Sequence, residues 1–299
     1  MAILAHSEHY FGPDGFPLTV KKAVTDPAGE PSHPHDITET EHYHDFSELV
    51  IVSRGRGMHR LEGEDFPVAA GDVFVLQGRQ VHCFYERHDL ELLNVMYDPD
   101  RLSLPTGQLR RLPGYSALFL LEPTYRHTHQ FSSRLRLNRA DLGRAAALAE
   151  RMHTEADSRP SGYETALLGL LLELMVFLSR HYGKGQTTEA RSLLRTGEVI
   201  STLERRYREP WTIAQLTQIA HLSRSSLMRV FVQATGQTPI DYLIRLRIEA
   251  AMRLLRESDL SMGEIAHEAG FSDSNYFARQ FRRTTGLTPT AFRRQQQTR

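Results

Sequence analysis

The chain has 299 residues, long enough for two domains with ordinary cores. Its formal charge of zero hides two unlike parts: residues 195–299 hold 16 Arg, no Lys and 10 Asp plus Glu, a net +6, while the first 194 residues carry −6, so only the C-terminal part can attract phosphate in a salt-dependent way. The single cysteine, Cys83, excludes an intramolecular disulfide; the most apolar run, Ala166–Leu178, is 13 residues and contains Gly169 and Glu173, too short to span a bilayer; and the N-terminus lacks the features of a secretory signal, so a cytoplasmic protein without a membrane partner is expected.

In chain order, residues 12–34 are rich in proline and glycine and read as a loop-like arm or an edge strand. From Asp45 to Tyr97 the runs FSELVIVS, MHRLEGEDFPV, VFVLQ, VHCFY and LELLNVMY are separated mainly by turn segments such as GRG, AAGD and GRQ. Several short strands at close spacing predict a small barrel or sandwich. At its start, HYHDFSELVIVSRG sets His42, His44 and Glu48 at even spacings, which puts all three on one face if the strand is regular there. Two histidines one residue apart, a glutamate four later and Gly55 resemble the first cupin motif. Gly71, Asp72 and His82, eleven positions after that glycine, resemble the second. The pattern is incomplete: Asp36 stands for the leading glycine, Gln77 and Arg79 for a proline and a glycine, and Glu86 for an asparagine. All four ligand-type residues nevertheless remain. Three imidazoles and a carboxylate suit iron, manganese, nickel or zinc. The same four can line a polar pocket in which neutral histidines and a glutamate bond sugar hydroxyls without metal, and the residues alone leave both readings open. Arg60, Asn94 and Tyr97 are weaker pocket candidates, each equally at home on the surface or in a core.

After the barrel, Arg139–Glu155 is rich in alanine and leucine and predicts a helix, and YETALLGLLLELMVFLSRHY predicts a second, more apolar one. Apolar residues around most of its circumference imply burial on several sides, against the barrel or in a homodimer. Gly183, Gly185, Gln186 and two threonines then read as a flexible linker ending near Arg191.

The C-terminal third repeats itself at an offset of fifty: Arg229, Phe231, Gly236, Thr238 and Pro239 recur as Arg279, Phe281, Gly286, Thr288 and Pro289. One supersecondary unit is used twice. In the first copy TIAQLTQIA predicts a helix, HLS a turn capped by Ser223, and RSSLMRVFVQATG a second helix ending at Gly236. In the second, MGEIAHEAG, FS and DSNYFARQFRRTTG repeat the arrangement, with Asp273 at the position of the cap. Both are helix-turn-helix patterns. Between them, Ile240–Arg256 reads as a continuous helix spanning roughly 25 Å. With the width of the flanking helices, that places two recognition helices in successive major grooves about 34 Å apart. Ser225, Met228 and Arg229 share one exposed stripe, as do Ser274, Asn275, Ala278 and Arg279, while Leu227, Val230 and Phe231, and Tyr276, Phe277 and Phe281, read as the inner faces. By chemistry Arg229 and Arg279 suit guanine and Asn275 suits adenine, whereas Arg224, Arg282 and Arg283 suit phosphate. Asp273 serves equally as a helix cap or as an acceptor from a cytosine amino group.

From Leu194 to Arg294, and above all in IAHEAGFSDSNYFARQFRRTTGLTPTAFR, the chain closely resembles the DNA-binding domain of AraC-type transcription regulators. HDFSELVIVSRGRG, GDVFVLQGRQVH and DLELLNVMYDPDRL are similar to the rhamnose-responsive branch of that family. The resemblance implies an α+β protein: a cupin-like sensor barrel over 1–138, a helical dimerisation segment over 139–183, a linker over 184–193, and a two-unit helix-turn-helix domain over 194–299. It further implies an activator that acts on promoter DNA at the nucleoid, contacts RNA polymerase, and responds to L-rhamnose or a related sugar held by His42, His44, Glu48 and His82. The competing readings are a metal-dependent cupin enzyme, such as an oxygenase or sugar isomerase, and a regulator that senses metal or stress.

Overall fold

A computed structural model describes residues 2–11, 15–24, 39–126, 131–182, 184 and 187–297. The chain divides into two compact units, Met1–Leu194 and Arg195–Arg299, at the point where its charge changes sign.

The first unit is built on one rolled sheet of β1 (Ile3–Ala5), β2 (Leu18–Val24), β3 (His42–His44), β4 (Ser47–Leu61), β5 (Glu64–Ala69), β6 (Asp72–Gln77), β7 (His82–Tyr97) and β8 (Leu135–Arg136). The strands run in the order β1-β3-β7-β4-β6-β8, with β2 also on β7 and β5 also on β4. Inward-facing Val50, Val52, Leu61, Phe74, Phe84, Leu92 and Phe131 form the barrel core. Within the expected arm, β2 pairs with β7 from Leu18 to Val24, so an edge strand forms there. Asp36 and the rest of residues 25–38 lie outside the described residues.

The sequence pattern suggested four short strands where the structure has two long ones, β4 of 15 residues and β7 of 16. GRG does not end β4, because register shifts between Val52 and Met58 absorb it as bulges, which bend a strand without breaking it. Gly55 is required at this bend. Its φ is 72°, and a Cβ would stand 2.0 Å from the Asp89 carbonyl oxygen. Opposite it, Glu86 and Asp89 take φ of 47° and 51°, so β7 turns at the same place.

Two long helices complete the unit. Arg139–Ser158 starts at Asn138, whose side chain accepts from the Asp141 N–H. Tyr163–Tyr182 is longer than its 13-residue apolar run and, with a mean hydropathy of 1.3, is long and apolar enough to cross a membrane by length and composition alone. Leu167, Leu171, Leu174, Met175 and Leu178 are nevertheless buried within the unit. Tyr182 donates its hydroxyl to the Ser133 carbonyl at 2.7 Å, and His181 faces Asp141 at 3.1 Å. Gly183, Gly185 and Gln186 lie outside the described residues. Beyond them the expected linker is helical from Thr188, within a helix Thr188–Arg205. The reason is composition: Glu189, Ala190, Arg191 and Leu193 favour a helix, and Ala190 and Leu193 are buried.

The second unit follows its sequence pattern closely. Helices Ile213–Ala220 and Arg224–Thr235 form the first helix-turn-helix, and Met262–Glu268 and Ser274–Thr285 the second. Capping boxes at Thr212 with Gln215 and at Ser261 with Glu264 start each copy. Gly236 and Gly286, at φ of 71° and 77°, stop the recognition helices. Even the side-chain bonds repeat: Thr235 donates to the Phe231 carbonyl and Thr285 to that of Phe281. The connecting helix, Pro239–Glu257, serves two cores. Tyr242, Leu243 and Leu246 join Leu227 and Phe231 in one, and Ile244, Ile248, Ala251 and Leu255 join Phe277 and Phe281 in the other.

Candidate functional site

On the first recognition helix, Arg224, Ser225 and Arg229 are exposed and Met228 is half-buried; on the second, Ser274, Asn275, Arg279 and Arg282 are exposed. Each helix thus presents a polar stripe while Leu227 and Phe231, or Phe277 and Phe281, anchor it from behind. Ser223 caps the first helix by accepting from the Ser226 N–H at 3.2 Å, and Asp273 caps the second by accepting from the Tyr276 N–H at 2.5 Å. Asp273 thus caps the helix through Oδ1.

Two expectations for these helices need correction. Tyr276, expected in the core, is 37% exposed. It occupies the first turn, where its N–H serves the cap and its ring is held between the edge of Phe271 at 6.1 Å and the Arg279 guanidinium at 6.0 Å. Val230, expected to be buried, is only half-buried. Arg283 faces Asp241 at 3.4 Å, so its charge is shared with a carboxylate.

In the barrel, His42, His44, Glu48 and His82 are all buried and come together at one end of the interior. The reason differs from simple alternation. β3 ends at His44, a bend at Asp45 and Phe46 follows, and β4 begins at Ser47. The bend is held from within, because His44 Nδ1 contacts the Phe46 carbonyl at 2.8 Å, while His42 Nδ1 contacts the Thr40 carbonyl at 2.9 Å. A carbonyl accepts only, so both Nδ1 atoms carry the hydrogen and both Nε2 lone pairs point inward. His42 Nε2 lies 3.0 Å from His82 Nε2, close enough for one ring to donate to the other. His44 Nε2 faces Glu48 Oε2 at 3.4 Å, and His82 Nε2 lies 3.9 Å from the same oxygen.

That donor set fits a metal. One atom each from His44, Glu48 and His82 lies within 4.8 Å of the others; two bonds of about 2.0–2.2 Å span at most about 4.4 Å, so an ion bound here draws the three atoms slightly together. The backbone carbonyls behind His42 and His44 supply the outer hydrogen bonds that orient imidazole ligands.

Sequence reasoning missed three residues near this pocket. His59 is buried, stacked between Phe74 and Phe84 with centroids at 5.1 and 4.5 Å, and lies 5.8 Å from His82. Its inward parity with Leu61 was the available signal. Glu122 and Arg126 form a fully buried pair at 2.5 Å, with Arg126 also donating to the Val75 carbonyl and lying over the Phe74 and Phe131 rings. Their separation of four in sequence is common on any helix and marked nothing. Of the weaker candidates, Asn94 is buried on the inward face of β7; Arg60 is on the surface, paired with Asp65 at 2.8 Å. Tyr97 falls on the opposite face of β7 from the quartet, and burial pushes its phenol well above the ordinary value.

A sheet-rich, cupin-like domain with a polar interior, followed by a domain with two recognition helices, defines a ligand-responsive regulator of transcription. Residues 28–175 match the AraC-like ligand binding domain and residues 216–295 match a helix-turn-helix domain. The chain belongs to the AraC-type family of DNA-binding transcription regulators. It is 32% identical over 263 residues to the HTH-type transcriptional activator RhaR of Shigella flexneri serotype 5b (strain 8401), covering 87% of this chain and 89% of that one. It is 31% identical over 262 residues to the RhaR of Escherichia coli O139:H28, with the same coverage. Among solved structures, the DNA-binding domain of the global transcriptional factor AdpA in complex with a target DNA is 33% identical, with a TM-score of 0.33, over 35% of this chain and 94% of that one.

Proposed function

We propose that the protein is a sugar-responsive activator in which a monosaccharide, L-rhamnose or a related sugar, is held by His42, His44, Glu48 and His82. The observation that carries this reading is the convergence of these polar side chains inside a barrel that shares its chain with two recognition helices. Arg229 and Arg279 read guanines and Asn275 an adenine, while Ser225, Met228 and Ser274 flank them in the groove and Arg224 and Arg282 hold phosphates. The ligand shifts the DNA-bound arrangement, or its contact with RNA polymerase, by its differential affinity for the two states. The protein acts in the cytoplasm at the nucleoid, without catalytic turnover. It works as a homodimer, with the groove between the two long helices of the first unit, lined by Glu150, Thr154, Ala166, Gly169, Leu170 and Glu173, as the candidate face for a second copy.

A second reading adds a divalent ion, zinc, manganese, nickel or iron, and is favoured by the buried donor triad of His44, Glu48 and His82. His44, Glu48 and His82 would hold the ion, which would supply Lewis-acid coordination of sugar hydroxyls.

Thermal unfolding of metal-free and metal-loaded protein against a panel of monosaccharides tests both. A ligand at 100 times its dissociation constant stabilises its domain by about 2.7 kcal/mol. A shift with one sugar in both preparations supports the polar pocket, and a shift only with metal makes the ion part of recognition. No shift with any sugar removes the sugar-sensor reading and leaves the DNA-binding assignment intact.

A further inference from the structure

The two cores of the DNA-binding unit meet around one side chain that lies on neither recognition helix. Arg247 sits on the connecting helix between Leu246, which serves the first core, and Ile248, which serves the second. Its Nε donates to the Tyr207 carbonyl at 2.8 Å and its Nη2 to the Glu209 carbonyl at 2.7 Å, both in the loop leading into the first helix-turn-helix. Its guanidinium also lies 5.6 Å from the ring centroid of Phe271, in the turn of the second.

The backbone closes tightly around this contact. Gly270 takes φ of 91°, and a Cβ there would stand 2.7 Å from Arg208 Cα and 3.1 Å from Arg247 Nε. Arg208 reaches Glu268 at 3.3 Å across the same seam. The loop is stiffened in turn, by the two-pronged pair of Arg206 with Glu209 at 2.6 and 2.7 Å and by Trp211 Nε1 donating to the Arg206 carbonyl at 2.9 Å. A planar guanidinium making two directed bonds fixes orientation as well as distance, which a single ammonium cannot do.

We propose that Arg247, seated against Gly270, is the positioning residue that locks the two recognition helices in one separation and phase, and so sets the spacing between half-sites that the protein accepts. The proposal rests on the reading that both helices enter successive grooves of one duplex. Inserting one base pair moves the second half-site by about 3.4 Å and turns it by roughly a tenth of a turn, a displacement that a locked pair cannot follow.

The test is selection from randomised duplex DNA about four helical turns long, carried out with the full-length protein and with Arg247→Lys and Arg247→Met. The wild type is expected to enrich two half-sites at a single separation, and the variants the same half-sites at two or more. On the wild-type sequence with one base pair inserted, wild-type affinity should fall at least about tenfold and that of Arg247→Lys less than about threefold. Arg247→Lys keeps the charge and the aliphatic stem, so it remains informative if Arg247→Met does not fold. Variants that lose affinity equally at every separation, and still enrich one separation, would make Arg247 a purely structural residue and overturn the proposal. Enrichment of a single half-site by the wild type would instead overturn the two-groove reading, and the proposal with it, before any variant is compared.

Discussion

In the first helix-turn-helix the turn is His221, Leu222 and Ser223; in the second it is Ala269, Gly270, Phe271, Ser272 and Asp273. The capping boxes begin at Thr212 and Ser261, 49 residues apart, whereas Phe231 and Phe281 are 50 apart, so the second copy carries one more residue between its cap and its recognition helix, and its first helix ends one residue earlier, which lengthens the turn. Leu222 stays half-buried, but the longer turn sends Phe271 into the core, beneath Arg247. The left-handed position is filled by His221 at φ 49° in one copy and by glycine at φ 91° in the other. What repeats is the recognition helix and its stop, which the core of each copy demands. What differs is the turn, because only the second turn must dock on the loop that precedes the first copy.

The strongest way to break this comparison is to empty the repeated cores. Phe231→Ala and Phe281→Ala should each cost about 3–5 kcal/mol, since both rings are fully buried. Urea unfolding followed through Trp211, the single tryptophan, measures it; a large inequality would show that the two cores are not equivalent.

Base reading should separate the copies. Arg229→Ala and Arg279→Ala are each expected to weaken cognate binding by about 1–3 kcal/mol, with Arg279 the larger because its guanidinium rests on the Tyr276 ring, where the first copy has Ser226. Quantitative binding on cognate and scrambled duplexes checks this, and equal loss on both would reassign the arginine to phosphate. Tyr276→Ala should narrow the gap between the two.

The caps come next. Asp273→Ala and Ser223→Ala should destabilise the second unit by about 0.5–2 kcal/mol, the aspartate more because a negative charge also suits a helix N-terminus. Equal losses in chemical denaturation would remove that charge effect. The smallest effect is expected at the stops, where Gly236→Ala and Gly286→Ala should cost about 1 kcal/mol each and do so equally, their φ being 71° and 77°.

The second unit was legible in the sequence almost residue by residue because its determinants are local: caps at Ser223 and Asp273, stops at Gly236 and Gly286, and apolar spacing of three and four. Tyr276 was misplaced because apolar spacing alone cannot separate a core aromatic from one held at the surface by a neighbouring arginine. The barrel was less legible. Its four polar residues do come together, but not through the strand regularity expected, which the bend at Asp45 and Phe46 interrupts. The lengths of β4 and β7 depend on bulges closed by contacts between residues more than thirty apart, such as Gly55 against Asp89. Arg126 finds Val75, Phe74 and Phe131 only once the chain has folded.

Cys83 is the one thiol of the chain; it is 3% exposed, and burial pushes it above its ordinary value. The folded surface is therefore chemically silent toward thiol reagents. A cysteine introduced at Ser225 or Ser274 would be the single accessible attachment point on the molecule. A tethered cleavage reagent or fluorophore at either position would report, with Cys83 left in place, which groove each recognition helix occupies.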